Sequence, residues 1–282
     1  MISLTDDCIC LRQKGQSDKI KLVDPKSEDL RGDYVKERAR GGYVCGVCQP
    51  EAAFELSRAA QCKEPTEKEA EILNKRLKWQ IENKDRGLNY VPIDIERAKL
   101  YIFVDASFAN NEDLTSQIGF IIVLGTEKVF GDYVEITGNI LHYSSTKCKR
   151  VVRSVLASEL YGAVQGIDHG LTLGATLNMI MEQLGYKNVP IVLCTDSKSL
   201  YDCLVKLGTT AEKRLMIDIM SIRESYERRE LAEVRRISGL DNPADAMTKA
   251  EPCKALETLI TTNKLKVRVD GWVDRNEAVR SS

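Results

Sequence analysis

Four carboxylates stand out by the residues around them. Leu100-Tyr101-Ile102-Phe103-Val104 runs without interruption into Asp105, Ala106 and Ser107, and Pro190-Ile191-Val192-Leu193-Cys194-Thr195 ends the same way in Asp196 and Ser197. An apolar run that ends in an acid reads as a short buried strand with a carboxylate at its carboxyl edge, which is where open α/β sheets keep their sites. Glu159 falls on the stripe 152, 156, 159, 163 and 167 of an apolar helical segment. A carboxylate on such a stripe is costly to desolvate unless a cation, a metal or hydrogen-bond donors meet it. Asp245 follows Asn242-Pro243, a cap and first-position pair that opens a helix. Singly, each has an ordinary reading: a turn cap for either strand Asp, a salt bridge to Arg153 or Lys149 for Glu159, a helix-dipole partner for Asp245. Converging, the four repel one another unless hard divalent cations join them, and Mg²⁺ fits best, with Mn²⁺ as a substitute. Two such ions about 4 Å apart activate a water and steady the leaving oxygen in phosphodiester hydrolysis, with no His or Cys nucleophile required.

The elements that must position these groups follow from the periodicity. Residues 117–124 and 128–136 read as two further strands, with Gly125-Thr126 as the turn between them, so a three-stranded meander follows Asp105. Residues 150–171 carry the helical stripe with Glu159, residues 198–207 form a helix after Asp196, and residues 210–230 a longer one. Residues 232–237 alternate as an exposed or edge strand before the Asp245 helix. One sheet then sets the ends of the Asp105 and Asp196 strands side by side, with the Glu159 helix across them and the Asp245 helix at the open edge. Upstream, residues 31–89 read as largely helical, with helices over 52–61 and 67–83, the second started by Thr66, and residues 87–97 read as a linker. Asp6-Asp7 reads as a turn, because a polymerase-type aspartate pair needs an aromatic residue two before it and strands on both sides. The expected fold class is α/β, a mixed sheet flanked by helices over 98–262, behind a mainly helical unit over 1–97, with 263–282 as a peripheral tail.

Composition narrows the class. The chain has 282 residues, is 43% hydrophobic and carries a formal net charge of -1, so polyanion binding must come from local clusters. No run approaches a membrane span and the polar start lacks a signal-peptide core, which predicts an intracellular chain, cytoplasmic or nuclear. Nine Cys, an odd number, read as reduced thiols. The pairs Cys8/Cys10 and Cys45/Cys48 could supply four sulfurs to zinc, but the first pair has the wrong spacing for a zinc knuckle and lies within an apolar strand-like run, and His142 and His169, far apart in sequence, do not suggest a His-based site. The local cluster Lys147, Lys149, Arg150, with Arg153 following, is a candidate for phosphate contacts, as is Lys198 beside Asp196. Ser107 and Asn110 are candidates for sugar hydroxyls, and each of these residues serves equally well as a solvated face or a turn.

The motifs Phe103-Val104-Asp105-Ala106-Ser107, Ser158-Glu159-Leu160-Tyr161, Thr195-Asp196-Ser197 and Asn242-Pro243-Ala244-Asp245-Ala246-Met247-Thr248-Lys249 resemble the ribonuclease H domain of copia-type retrotransposon polyproteins. The last, of the form N-x-A-D-x-x-T-K, is the most specific. The resemblance is close over 100–249 and looser upstream, where 41–61 and 73–90 look like the end of the reverse transcriptase that precedes ribonuclease H in those polyproteins. It implies a ribonuclease H-like fold, Asp105, Glu159, Asp196 and Asp245 as the metal-binding catalytic carboxylates, two Mg²⁺ ions, and cleavage of the RNA strand of an RNA–DNA hybrid. It also implies a reverse transcriptase polymerase domain of the same polyprotein as partner, and no membrane. The paired aspartates of a polymerase palm do not appear, so no DNA synthesis is expected. Many cellular ribonucleases H carry a His shortly before the last Asp, where this chain has Arg236-Ile237-Ser238-Gly239, and a slower reaction is expected for that reason. The alternative, from another class, is a catalytically silent transposon-derived fragment that binds nucleic acid or a protein partner.

Overall fold

The computed structural model describes residues 1–4, 8–111, 113–206, 210 and 212–274; Asp6-Asp7 lies outside them. The chain opens with β1 (Ile2–Leu4) and β2 (Ile9–Leu11), then the helices α1 (Leu30–Cys48), α2 (Ala53–Ala59) and α3 (Glu67–Glu82), and returns as β3 (Leu88–Tyr90). Thr66 and Glu69 form a capping box at the start of α3, each satisfying a backbone donor that the first turn leaves free. The strand β3 pairs with β2 in a small antiparallel sheet, so residues 87–97 are not the simple linker that their polarity predicts.

The main sheet begins with β4 (Lys99–Ser107), followed by β5 (Gln117–Phe130) and β6 (Tyr133–Lys147) as an antiparallel meander. The expected turn at Gly125-Thr126 is instead strand, because Gly125 pairs with Gly138 and a Cβ on it would lie 2.6 Å from the Thr137 carbonyl oxygen. The reversal falls at Gly131, whose φ of +56° suits glycine. Next come α4 (Val155–Gln183), β7 (Ile191–Thr195), α5 (Lys198–Val205), α6 (Met216–Glu227) and β8 (Glu233–Ile237). A single turn of 3₁₀ helix, Pro243–Met247, precedes α7 (Lys254–Thr262) and β9 (Lys264–Asp274).

Parallel pairing sets β7 beside β4 and β8 beside β7. The strand β8 is therefore not the expected edge strand, since β9 covers its other side. The first half of β9 pairs with β6 and its second half with β8, closing the ring β4-β5-β6-β9-β8-β7. The tail expected to be peripheral is thus an integral strand as far as Asp274. The alternation Leu265, Val267, Val269 against Lys264, Lys266, Arg268 carries that strand signal.

Two cores lie on the two faces of β4. Leu100, Ile102 and Val104 pack beneath α4, α5 and α6, while Tyr101 and Phe103 share a core with α7 and with Val44, Leu56 and Leu77 of α1–α3. Residues 1–97 and the sheet consequently share one hydrophobic interior. A polar seam reinforces it: the buried Gln117 donates to Ser57 Oγ on α2 at 3.0 Å and to Ser145 Oγ on β6 at 2.9 Å. Gly162, Gly166, Gly170 and Gly174 form a stripe on α4, and a Cβ on Gly166 would lie 2.7 Å from Val104 Cγ1. That stripe is what lets the helix lie close on β4 and bring Glu159 over the strand's end. No described helix is long and apolar enough to cross a membrane.

Candidate metal centre

The register sets the first two acids side by side. Val104 pairs with Thr195 in parallel strands, so Asp105 and Asp196 leave neighbouring strand ends in the same direction. Asp245 arrives from the Pro243–Met247 turn, which is fastened to β4 from both ends. Asn242 Nδ2 donates to the Val104 carbonyl oxygen at 3.0 Å while its Oδ1 accepts from Ala244 N at 3.1 Å. Beyond the turn, Thr248 Oγ1 donates to Asp105 Oδ2. On β5, opposite Asp105, Gly119 makes room for the turn: a Cβ there would lie 2.2 Å from Met247 Cβ.

Asp105, Asp196 and Asp245 each offer a carboxylate oxygen within 4.8 Å of the others. Glu159 lies outside that triangle but feels it. Burial first, and then the charges of Asp105 and Asp196, push its carboxyl up to about 9. Burial, Asp105 and Asp245 raise Asp196 to about 6, and burial with Asp105 raises Asp245. Among the described residues one ammonium sits with these four: Lys249 Nζ is 3.0 Å from Asp245 Oδ1 and 3.8 Å from Asp105 Oδ2. Burial works to lower its pKa, and the carboxylates outweigh burial and raise it. One positive charge against four carboxylates leaves a deficit that a divalent cation would fill.

The donor set fits such a cation. It is all oxygen, and Glu159 Oε2 is buried without a hydrogen-bond partner, as a ligand atom awaiting its ion would be. The salt bridge to Arg153 or Lys149, the ordinary reading of Glu159, is not found among the described residues. Ser107 Oγ, next to Asp105, is likewise buried and unpartnered, while Asn110 is exposed beyond the end of β4. The cationic candidates already have carboxylate partners: Lys147 with Asp113, Arg150 with Asp218 at 2.8 Å, Lys198 with Asp202 at 3.4 Å. Lys149 is exposed. Sequence reasoning named Asn242 as the cap, which its bond from Ala244 N bears out, but missed its bond to β4 and the contacts of Thr248, Lys249 and Gly119 around the acids, although the four-residue spacing of Asp245 and Lys249 is a helical pairing signal. His142 and His169, far apart in sequence, stack with ring centroids 5.5 Å apart, on β6 and α4. They stand alone, with no third ligand near them among the described residues.

No protein-family model matches the chain. Among solved structures it is similar to LC11-RNase H1, isolated from compost, in complex with an RNA/DNA hybrid: 17% identity, 56% of this chain and 99% of that chain, TM-score 0.39. RNase H1 from the halophilic archaeon Halobacterium salinarum NRC-1 aligns at 16% identity over 57% of this chain and 98% of its own, TM-score 0.37. The RNase H domain of prototype foamy virus aligns at 14% identity over 59% and 93%, TM-score 0.30. These structural neighbours are RNase H domains, and at such TM-scores the likeness says nothing about the role of any residue.

Proposed function

We propose that the chain is a metal-dependent endonuclease of the ribonuclease H type, hydrolysing the RNA strand of RNA–DNA hybrids. The observation that carries this reading is the charge deficit at the ends of β4 and β7: four carboxylates, at least half-buried, against the Lys249 ammonium. Asp105, Glu159, Asp196 and Asp245 would hold two Mg²⁺ ions, with Mn²⁺ as a substitute. When bound, such a pair supplies an activated water and a counter-charge for the leaving oxygen.

The chain's own groups prepare that site. Thr248 fixes one oxygen of Asp105 and so aims the other. Asn242 ties the turn bearing Asp245 to the backbone of β4. Lys249 offsets part of the repulsion. Ser107, unpartnered beside Asp105, and Asn110 take ribose hydroxyls, the feature that distinguishes RNA from DNA. Lys147, Lys149, Arg150 and Lys198 take phosphates, the first two cationic pairs being exposed and cheap to exchange. The wider setting belongs to the same proposal: a copia-type retrotransposon polyprotein, residues 1–97 as the end of its reverse transcriptase, a polymerase domain as partner, and an intracellular location. The N-x-A-D-x-x-T-K motif supports it.

The test is cleavage of a labelled RNA–DNA hybrid by the purified chain in Mg²⁺, against chelator and against duplex DNA. Metal-dependent cutting of the RNA strand alone is expected. No cutting in Mg²⁺ or Mn²⁺ by a folded sample would turn the reading to the silent fragment.

A further inference from the structure

The ammonium of the proposed centre sits to one side of it. Lys249 Nζ lies 3.0 Å from Asp245 Oδ1 and 3.8 Å from Asp105 Oδ2. Thr248 Oγ1 donates to that same Oδ2, so both contacts fall on one oxygen of Asp105 and neither uses Oδ1. Glu159 and Asp196 make no ion pair among the described residues, and Glu159 Oε2 is buried without a hydrogen bond. The centre therefore has two unlike halves. Asp105 and Asp245 already share a cation, whereas Glu159 and Asp196 share none.

Lys249 is held in a way that lets it leave. Asp245 Oδ1 is buried and accepts no hydrogen bond, so the 3.0 Å approach is one of charge rather than a directed bond. The lysine side chain is 41% exposed, and its four-carbon stem is flexible. With Asp245 it lines a cleft of about 180 Å³ that Gly239, Leu240 and Glu251 also line. Glu251 is exposed, and it offers a displaced ammonium a second carboxylate within the same cleft.

We propose that the Lys249 ammonium stands in for one of the two divalent ions, so that the ions load in order: the first with Glu159 and Asp196, the second only by displacing Lys249 from Asp105 and Asp245. The inference rests on the metal-dependent reading and adds how that site is regulated. Lys249 competes with the second ion, so that position fills only as the free ion concentration rises. In the ion-free chain the same lysine offsets the repulsion between two of the acids.

The test is a calorimetric titration of Mn²⁺ into the full chain and into its Lys249→Met and Lys249→Arg variants, with thermal unfolding beside it. Two steps are expected in the wild type. Lys249→Met keeps the length of the side chain and removes its charge. It should tighten the weaker step about tenfold, the worth of one charge-assisted contact, and leave the tighter step within about threefold. The same variant should melt below the wild type in chelator and above it at saturating Mn²⁺. Lys249→Arg keeps the charge and should leave the weaker step weak. A lysine that merely braced the Asp245 turn would give the opposite result, with both steps weakened in Lys249→Met. Weakening of both steps, or no change in either, would overturn the displacement and leave the metal centre standing. No saturable binding and no hybrid cleavage by the folded wild type would instead overturn the metal-dependent reading itself.

Discussion

Two buried charge clusters lie at opposite ends of β4, about 20 Å apart at the rise of a strand. At the start of the strand, Lys99 and Arg235 meet Glu127 and Glu233. Lys99 Nζ is 2.7 Å from Glu127 and 2.6 Å from Glu233, and Arg235 bonds both, at 2.6 Å to Glu127 Oε2 and 2.8 Å from its Nε to Glu233 Oε2. Tyr101 donates to Glu127 at 2.8 Å, and the Arg235 guanidinium lies 4.0 Å from the centre of the Trp272 ring. Burial alone would raise Glu127, but Arg235 and Lys99 outweigh it and hold the carboxyl down at about 2. At the other end, the same strand meets four carboxylates and one ammonium, and Glu159, Asp196 and Asp245 are pushed up instead. The difference is one of charge balance. A buried cluster that is already neutral holds elements together, whereas one left short of cations would be relieved by ions from outside, as the proposed function requires.

Breaking the neutral cluster should cost most. Arg235→Met leaves Glu127 and Glu233 buried without their main partner, and a loss of about 3–5 kcal/mol is expected in denaturant unfolding. A loss under about 1 kcal/mol would mean that Lys99 alone neutralises the pair. The next largest effect belongs to Gly119→Ala, which drives a Cβ into Met247. It should cost about 1–3 kcal/mol and, by shifting the turn that carries Asp245, weaken divalent-ion binding more than stability alone predicts.

The deficient cluster should respond with the opposite sign. Asp196→Asn removes a repelled charge at nearly constant volume, so the ion-free chain should gain about 1 kcal/mol at pH 8 while hybrid cleavage is lost. Retained cleavage would remove Asp196 from the centre. The smallest effect is the slope with pH. Glu159 and Asp196 have folded pKa values above the ordinary carboxylate range, so their contribution is fully present below about pH 4 and is lost as pH rises toward 6 for Asp196 and 9 for Glu159. Glu127 has the opposite sign, and its contribution is lost only as pH falls toward 2. In chelator, unfolding free energy should therefore fall between pH 5 and 9, and Glu159→Gln should flatten the fall. A rise over that window would contradict the raised values.

The centre was more legible in the sequence than the cluster that balances it. Apolar runs ending in Asp105 and Asp196, the helical stripe with Glu159 and the capped turn before Asp245 are local patterns, and each predicts the element that holds its acid. The Glu127–Arg235 pair joins residues 108 positions apart, and no local period encodes such a contact. The strand β9 did carry an alternating pattern, but its partners at β6 and β8 fix its place only once the ring closes. Gly125 resembles a turn signal in one dimension and is a close strand crossing in three. Thr248 and Lys249 act on Asp105 across 143 and 144 positions, which sequence spacing does not reveal.

The most direct measurement is a calorimetric titration of Mn²⁺ into the full chain at neutral pH, with Asp196→Asn beside it. Saturable binding is expected in the wild type, with thermal stabilisation that grows with ion concentration, about 2.7 kcal/mol at a hundredfold excess over Kd, and loss of both in the variant. No saturable binding by the folded wild-type chain, or equal binding by the variant, would contradict a divalent-ion centre at the ends of β4 and β7.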